Sequence, residues 1–419
     1  MQQTAQDYLL GLIQTSRATM TRIAETIPDS DSQACQHLLS HALWQDEVLT
    51  QQVTQAVSSQ LGPSAALLLD SSAFNKKGDA SAGVARQYNG NRGKVDNCQV
   101  GVFAALATEM HASPIGCKLY LSRDWIDDVA RCDKAGIPES ARVFKTQNQL
   151  ALDLVRQTRA FGAAFRFVGG DGAFGHDGAF RQGLRQDGER FLLDVHSDLK
   201  VWLHEPELDL SQAKQGRPRK KPRWDTAQIA INAWAATQPA SAWQRVTLRE
   251  GEKLILSVDA LTLPVWVQDE ENGAPIRYRM VIRREVGDPS TLKYSLSNVP
   301  DSVSLRELVK MQGRRHRIEQ SFREAKQECG MADYQVRKWQ GWHRHMLLVS
   351  LAMLLVLELR LAYEEDLPWL SARDIIESLS ALLPRIGTTI DALAMLMEQR
   401  HKLRQKAQEN HYKRVYLLG

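Results

Sequence analysis

The chain has 419 residues, enough to bury a large core and, at roughly 150 residues per domain, to build two to four domains. Its 53 basic and 49 acidic side chains leave a net charge of +4, too small an excess to mark the whole surface as a polyanion binder. Five scattered cysteines without a Cys-x-x-Cys pair argue against a zinc site or a disulfide framework and fit a reducing compartment.

Residues 5–58 read as two or three amphipathic helices, broken at Pro28-Asp29-Ser30-Asp31-Ser32. Segment 1–60 holds two basic and six acidic groups and no leader-like pattern of basic then apolar residues. Short apolar runs then predict strands at Ala65–Leu69, ending at Asp70, and at Asn97–Thr108 and Gly116–Leu121. Gln147–Phe161 has helical period. Phe165–Gly169 reads as a strand ending at Asp171, Asp177–Asp187 as a helix and Phe191–Val195 as a strand. From about 197 the pattern alternates. Gln228–Trp234, Trp243–Arg249, Lys253–Leu263, Pro264–Gln268, Tyr278–Arg284 and Leu292–Ser297 read as antiparallel hairpin strands. Helices are expected at 303–312, 314–328 and 342–362, and over 371–409 with a break at Pro384 and Gly387. The longest apolar run, Met346–Leu357, is too short to span a bilayer and contains Ser350, so it predicts a core helix of a soluble, cytoplasmic protein.

Without 197–300, the order is three strands, helix, strand, helix, strand, helix. That is the order of a ribonuclease-H-like α/β core, here interrupted by an antiparallel β-rich insertion and flanked by helical N- and C-terminal regions. The expected boundaries are 1–60, with DNA binding as one role, 61–196 and 301–365 for the two parts of the core, 197–300 for the insertion, and 366–419.

Asp70 and Asp171 close apolar strands, and strand ends of such a sheet converge at one edge. Glu319 lies on a helix with Arg315, Phe322 and Lys326 on one face, since seven residues return to within about 20°. Two aspartates and a glutamate form a hard oxygen donor set suited to Mg²⁺ or Mn²⁺. Two such ions about 4 Å apart suit in-line phosphoryl transfer. Each residue also has a plain structural reading. Asp171, in Gly169-Gly170-Asp171-Gly172, suits a turn, and Glu319 suits an ion pair with Arg315 or Arg323.

Three blocks carry a family resemblance over about 40–365: Leu69-Asp70-Ser71-Ser72-Ala73-Phe74-Asn75-Lys76-Lys77-Gly78 with Gly83–Tyr88 and Gly93–Phe103; Gly170–Gly175; and Arg315–Lys326 continued by Tyr334–His345. In these the chain resembles bacterial insertion-sequence transposases of the DDE superfamily, in the group with a β-strand insertion and a Tyr-x2-Arg-x3-Glu-x6-Lys motif. Gln312 stands where that motif has tyrosine, and Ser71 where relatives often have a second acid. The resemblance implies that Asp70, Asp171 and Glu319 are catalytic and hold two Mg²⁺ (or Mn²⁺) ions. It implies that Arg315 and Lys326 contact DNA phosphate. It further implies double-stranded DNA at transposon ends and target DNA as partners, a homodimer on that DNA, and no small-molecule cofactor. Cutting by hydrolysis would precede joining of the 3′-hydroxyl to target DNA, with a DNA hairpin as the route of flanking-strand release. A non-catalytic DNA-binding regulator and a structure-selective nuclease of the same fold are the alternatives.

Cations surround these motifs. Lys76, Lys77, Arg86, Arg92 and Lys94 follow Asp70 in a Gly-rich stretch, Arg323 lies on the Glu319 helix, and 214–223 carries six basic groups and no acid. Each is a candidate backbone contact or a solvated surface. Residues 301–345 carry ten basic and six acidic groups. There Trp339, Trp342, His343 and His345 suit either base stacking or core packing.

Overall fold

The computed structural model describes residues 1–209, 222–250, 255–387 and 389–416. Most of the basic run 214–223 lies outside them. Four N-terminal helices, α1 (Gln2–Gln14), α2 (Met20–Thr26), α3 (Ser32–Ser40) and α4 (Asp46–Leu61), replace the two or three expected. The break at 28–32 falls between α2 and α3, where Asp31 accepts the Ala34 N–H at 2.8 Å and caps α3.

The core follows as β1 (Ala66–Asn75), β2 (Ala85–Asn89), β3 (Lys94–Ala107), β4 (Ala112–Leu119), α5 (Arg123–Ile126), α6 (Val129–Ala135), α7 (Gln147–Ala160), β5 (Phe167–Gly170), α8 (Gly172–Gly175), α9 (Gly178–Gln186) and β6 (Phe191–Val195). Strand β3 pairs antiparallel with β1, β2 and β4, while β1, β5 and β6 run parallel. The sheet is therefore mixed, with helices on both faces, as a ribonuclease-H-like core requires. Strand β1 does not end at Asp70. Strand β3 pairs with it as far as Asn75, whereas β5 stops beside Leu69. Asp70 thus lies in mid-strand, at the level where one side of β1 opens.

The second half holds β7 (Lys200–Val201), β8 (Ile229–Ala230), α10 (Ile231–Ala236), β9 (Gln244–Glu250), β10 (Ile255–Gln268), β11 (Pro275–Glu285) and β12 (Asp288–Ser297). Most of the strand expected at Gln228–Trp234 is instead α10. Its Ala-rich continuation, Ala233-Trp234-Ala235-Ala236, favours helix over strand. Nor does Pro264 divide two strands, because β10 runs straight through it. Strand β9 covers β10 only to Ala260, and Trp266, two residues beyond Pro264, points its N–H at the open edge, donating to Trp202 O at 2.9 Å. Pro264 shares that orientation, so its missing N–H removes no bond to β11. The insertion joins the core sheet directly through β12 and β6, giving one ten-stranded sheet ordered β2-β3-β1-β5-β6-β12-β11-β10-β9, with β4 on β3.

The chain ends in α11 (Leu305–Arg314), α12 (His316–Glu328), α13 (Trp339–Ala362), α14 (Ala372–Leu382) and α15 (Ile390–Tyr416). One core cluster joins α1–α3, α12 and Phe103 to Phe322 and Trp342, and the other packs α4, α7 and α9 on the opposite sheet face. Helix α13 contributes to both clusters. By length and composition α13 could cross a membrane, but 61% of its apolar stretch is buried inside the protein, as a core helix demands.

Candidate active site

Leu69, Gly170 and Leu193 form one row across three neighbouring parallel strands. The next residues along the chain are Asp70, Asp171 and Asp194. Adjacent strands lie about 4.8 Å apart, so the register alone lines up three carboxyl-bearing residues. Asp70 accepts the Ser71 N–H at 2.7 Å. Asp171 caps the single turn of α8, accepting the Ala173 N–H at 3.0 Å. The turn reading of Asp171 therefore holds together with its place in the row. Asp194 accepts the Ser295 hydroxyl at 2.6 Å.

Helix α12 brings the remaining groups. Arg315, between α11 and α12, contacts Asp194 at 2.9 Å and Glu319 at 2.7 Å. His316 Nδ1 is 3.3 Å from the other Glu319 oxygen. Burial works against the Arg315 cation, but Asp194, Glu319, Asp70 and Asp171 together outweigh it and raise its pKa. Arg315 thus interacts with all four carboxylates, with Lys326 adding positive charge near Asp70 and Arg283 and Lys293 near Asp194. Asp70 shows the same crowding from the other side. Burial first, then the Asp171 charge, pushes its carboxyl up to about 7, with Glu319 adding to the rise and Ser71 N–H and Arg315 opposing it.

Asp194 and Gln312 belong to this network; the resemblance puts Gln312 at the motif's tyrosine position, whereas Asp194 has no role in it. Gln312 is buried and donates to Ser295 Oγ at 2.7 Å, which links it through Ser295 and Asp194 to Arg315. The sequence carries one usable signal, an aspartate directly after the apolar run Phe191-Leu192-Leu193, the pattern that also marks Asp70. The link between Gln312 and Ser295 crosses elements and leaves no local pattern.

The candidate phosphate contacts divide. Lys326 lies near Asp70, whose charge supports its ammonium against a pKa lowered by burial, and its Nζ is 5.7 Å from the Phe74 ring centroid. Lys76 folds inward, 3.4 Å from the Tyr334 ring centroid, and burial lowers its pKa to about 8. Lys77, Arg86, Lys94 and Arg323 are at least partly exposed, and Arg92 pairs with Asp96 at 2.7 Å. The aromatic block is largely core. Trp342, Arg344 and His345 are fully buried, Trp342 donates to Tyr334 Oη at 3.2 Å, and Arg344 meets Asp46 at 3.0 Å. Stacking on bases is closed to these three.

Among the described residues, no three His, Cys, Asp or Glu side chains stand ready as a metal cage. Asp70 and Asp171 adjoin, while Glu319 is turned to Arg315 and His316. The donor chemistry nonetheless fits a hard divalent cation. It is all carboxylate, partly buried, and already organised around a positive charge.

Asp70, Asp171 and Asp194 thus converge at one edge of a ribonuclease-H-like core sheet. Residues 1–254 match the family of DDE superfamily endonucleases, more than half of the chain, and the protein belongs to that family. The matched part contains Asp70, Asp171 and Asp194 and ends before Arg315, Glu319 and Lys326. The probable transposase for insertion sequence element IS701 of Microchaete diplosiphon is 26% identical over 168 residues, which cover 39% of this chain and 40% of that protein. The match therefore spans well under half of that relative's length. The NurA nuclease from Sulfolobus solfataricus aligns with 77% of this chain and 93% of its own at 9% identity and a TM-score of 0.25, a superposition too loose to bear on function.

Proposed function

We propose that this DDE-superfamily protein is the transposase of an insertion sequence. It cuts DNA at the element's ends by phosphodiester hydrolysis and joins the freed 3′-hydroxyl to target DNA. The observation that carries this reading is the row of Asp70, Asp171 and Asp194 faced by Arg315 and Glu319. In the first step a water oxygen adds to phosphorus and the 3′-oxygen departs. In the second that 3′-hydroxyl gives up its proton and adds to a target phosphate, and the target strand's own 3′-oxygen departs from that phosphorus and takes up a proton.

Asp70, Asp171 and Glu319 would hold Mg²⁺ or Mn²⁺, two ions by the family resemblance. The bound ions supply charge neutralisation and a more acidic water. Arg315 and Lys326 attract the scissile phosphate. When phosphate draws Arg315 away, Glu319 keeps only His316 as a partner and frees its Oε1 as a donor. The remaining polypeptide holds the DNA backbone through Lys77, Arg86, Lys94 and Arg323, and two copies act on paired ends.

The test is nicking of DNA carrying the element's ends, in Mg²⁺, by Asp70→Asn, Asp171→Asn and Glu319→Gln. Each variant should fall to background while retaining DNA binding in chelator. Nicking at the parental rate by any of the three defeats the catalytic assignment. Binding without nicking by the parent itself would identify a regulator, and cutting without joining a nuclease.

A further inference from the structure

Strands β11 and β12 present a basic groove to the α11–α12 turn. It encloses about 200 Å³ and is lined by Arg283 and Lys293 from the insertion and by Lys310, Arg314 and Arg315 opposite. Two of its acids are already engaged, Glu109 by Lys310 at 3.0 Å and Glu319 by Arg315 at 2.7 Å. The third, Glu285, is the last residue of β11.

Arg283 and Lys293 sit directly opposite each other on paired strands. Like charges in that position destabilise a hairpin. Among the described residues neither side chain has an ion-pair partner within 4 Å, although the Asp194 charge acts on both. Two residues along β12, on the same face, Ser295 holds Asp194, which holds Arg315. The two cations are therefore one step along the sheet from the carboxylate row. Burial and the Arg315 charge both disfavour the Arg283 cation, against support from Asp194 and Glu285. Arg283 is half-buried and Lys293 exposed, so the pair carries positive charge to the mouth of the groove beside Arg315.

We infer that Arg283 and Lys293, with Arg315 on the opposite wall, form a subsite for one DNA backbone phosphate on the insertion side of the carboxylate row. The inference rests on the DNA-cutting reading above. The contact positions the strand and reads no base, since phosphate contacts carry no sequence information.

The measurement is the salt dependence of binding to a short fluorescein-labelled duplex of arbitrary sequence, in EDTA, by full-length protein. The double variant Arg283→Gln/Lys293→Gln should bind several-fold more weakly than the parent. Its slope of log affinity against log salt should be shallower by about 0.9, the release expected for one phosphate. Arg277→Ala, a cation on the same strand paired with Asp301 outside the groove, should match the parent. Arg283→Lys should recover most of the lost slope, which separates charge from packing. A double variant that melts like the parent and keeps its slope overturns the subsite and leaves the catalytic reading intact. So does an equal loss in Arg277→Ala. Conversely, parental nicking by Asp70→Asn strikes the catalytic reading and leaves the slope comparison standing.

Discussion

Asp70 is the residue whose environment makes the sharpest demand. Its carboxyl is pushed up to about 7, because burial and the Asp171 charge penalise the anion. The unfolded chain releases that proton at about 4. Between those values the native state binds more protons than the unfolded one, so stability falls as pH rises through the window and is fully present only below it. Asp70→Asn in metal-free protein should flatten this slope and raise the urea midpoint at pH 8 relative to the parent. A tenfold difference in proton affinity between the two states is worth about 1.4 kcal/mol, so the expected effect is a few kcal/mol. Added Mg²⁺ should stabilise the parent at pH 8 and leave the variant nearly unchanged, since a ligand stabilises only the state that binds it. Equal pH profiles for the two proteins would show that Asp70 is not the crowded group. That Asp70, Asp171 and Glu319 lie close together was legible from the sequence, because two of them adjoin apolar strand runs and the third lies on a regular helical face. Asp194 was not, because its meaning comes from the register of β5 with β6.

At the scale of elements, α8 is a single turn wedged against β6. A Cβ on Gly175 would fall 1.9 Å from the Asp194 carbonyl oxygen, which a backbone atom cannot yield by a rotamer change. Gly175→Ala should therefore displace α8, disturb both Asp171 and Asp194, lower the melting temperature and reduce nicking more than stability alone explains. Gly116→Ala is the matched control, because its Cβ meets only a Leu154 methyl at 3.6 Å. Similar melting temperatures for the two variants would contradict the wedge. Period places α11 and α12 close to the expected 303–312 and 314–328. The misses lie where tertiary pairing overrides local signals. Strand β1 outlasts its apolar run because β3 pairs with it throughout, and β10 crosses Pro264 because that edge has no ladder bond to lose.

For the whole molecule, the decisive feature is that the insertion and the core share one sheet. Strand β6 would lose its antiparallel partner if 197–300 were removed, exposing a sheet edge that includes the buried Leu192 and Leu193. Deletion of 197–300 should yield aggregated protein rather than a folded core, and the intact chain should melt in one transition. A soluble, cooperatively folding deletion variant would show that the insertion is an independent unit. By itself the sequence determined most element types, the α/β class with its β-rich interruption, and the candidate set of two aspartates, a glutamate and their flanking cations. Those follow from periodicity and from polar residues placed beside apolar runs, which are local properties. Only the tertiary structure decided that Asp194 joins the row, that Gln312 braces it through Ser295, and that Arg283 and Lys293 face the same groove. Those depend on strand register and on contacts between residues far apart in the chain, and no local period encodes them.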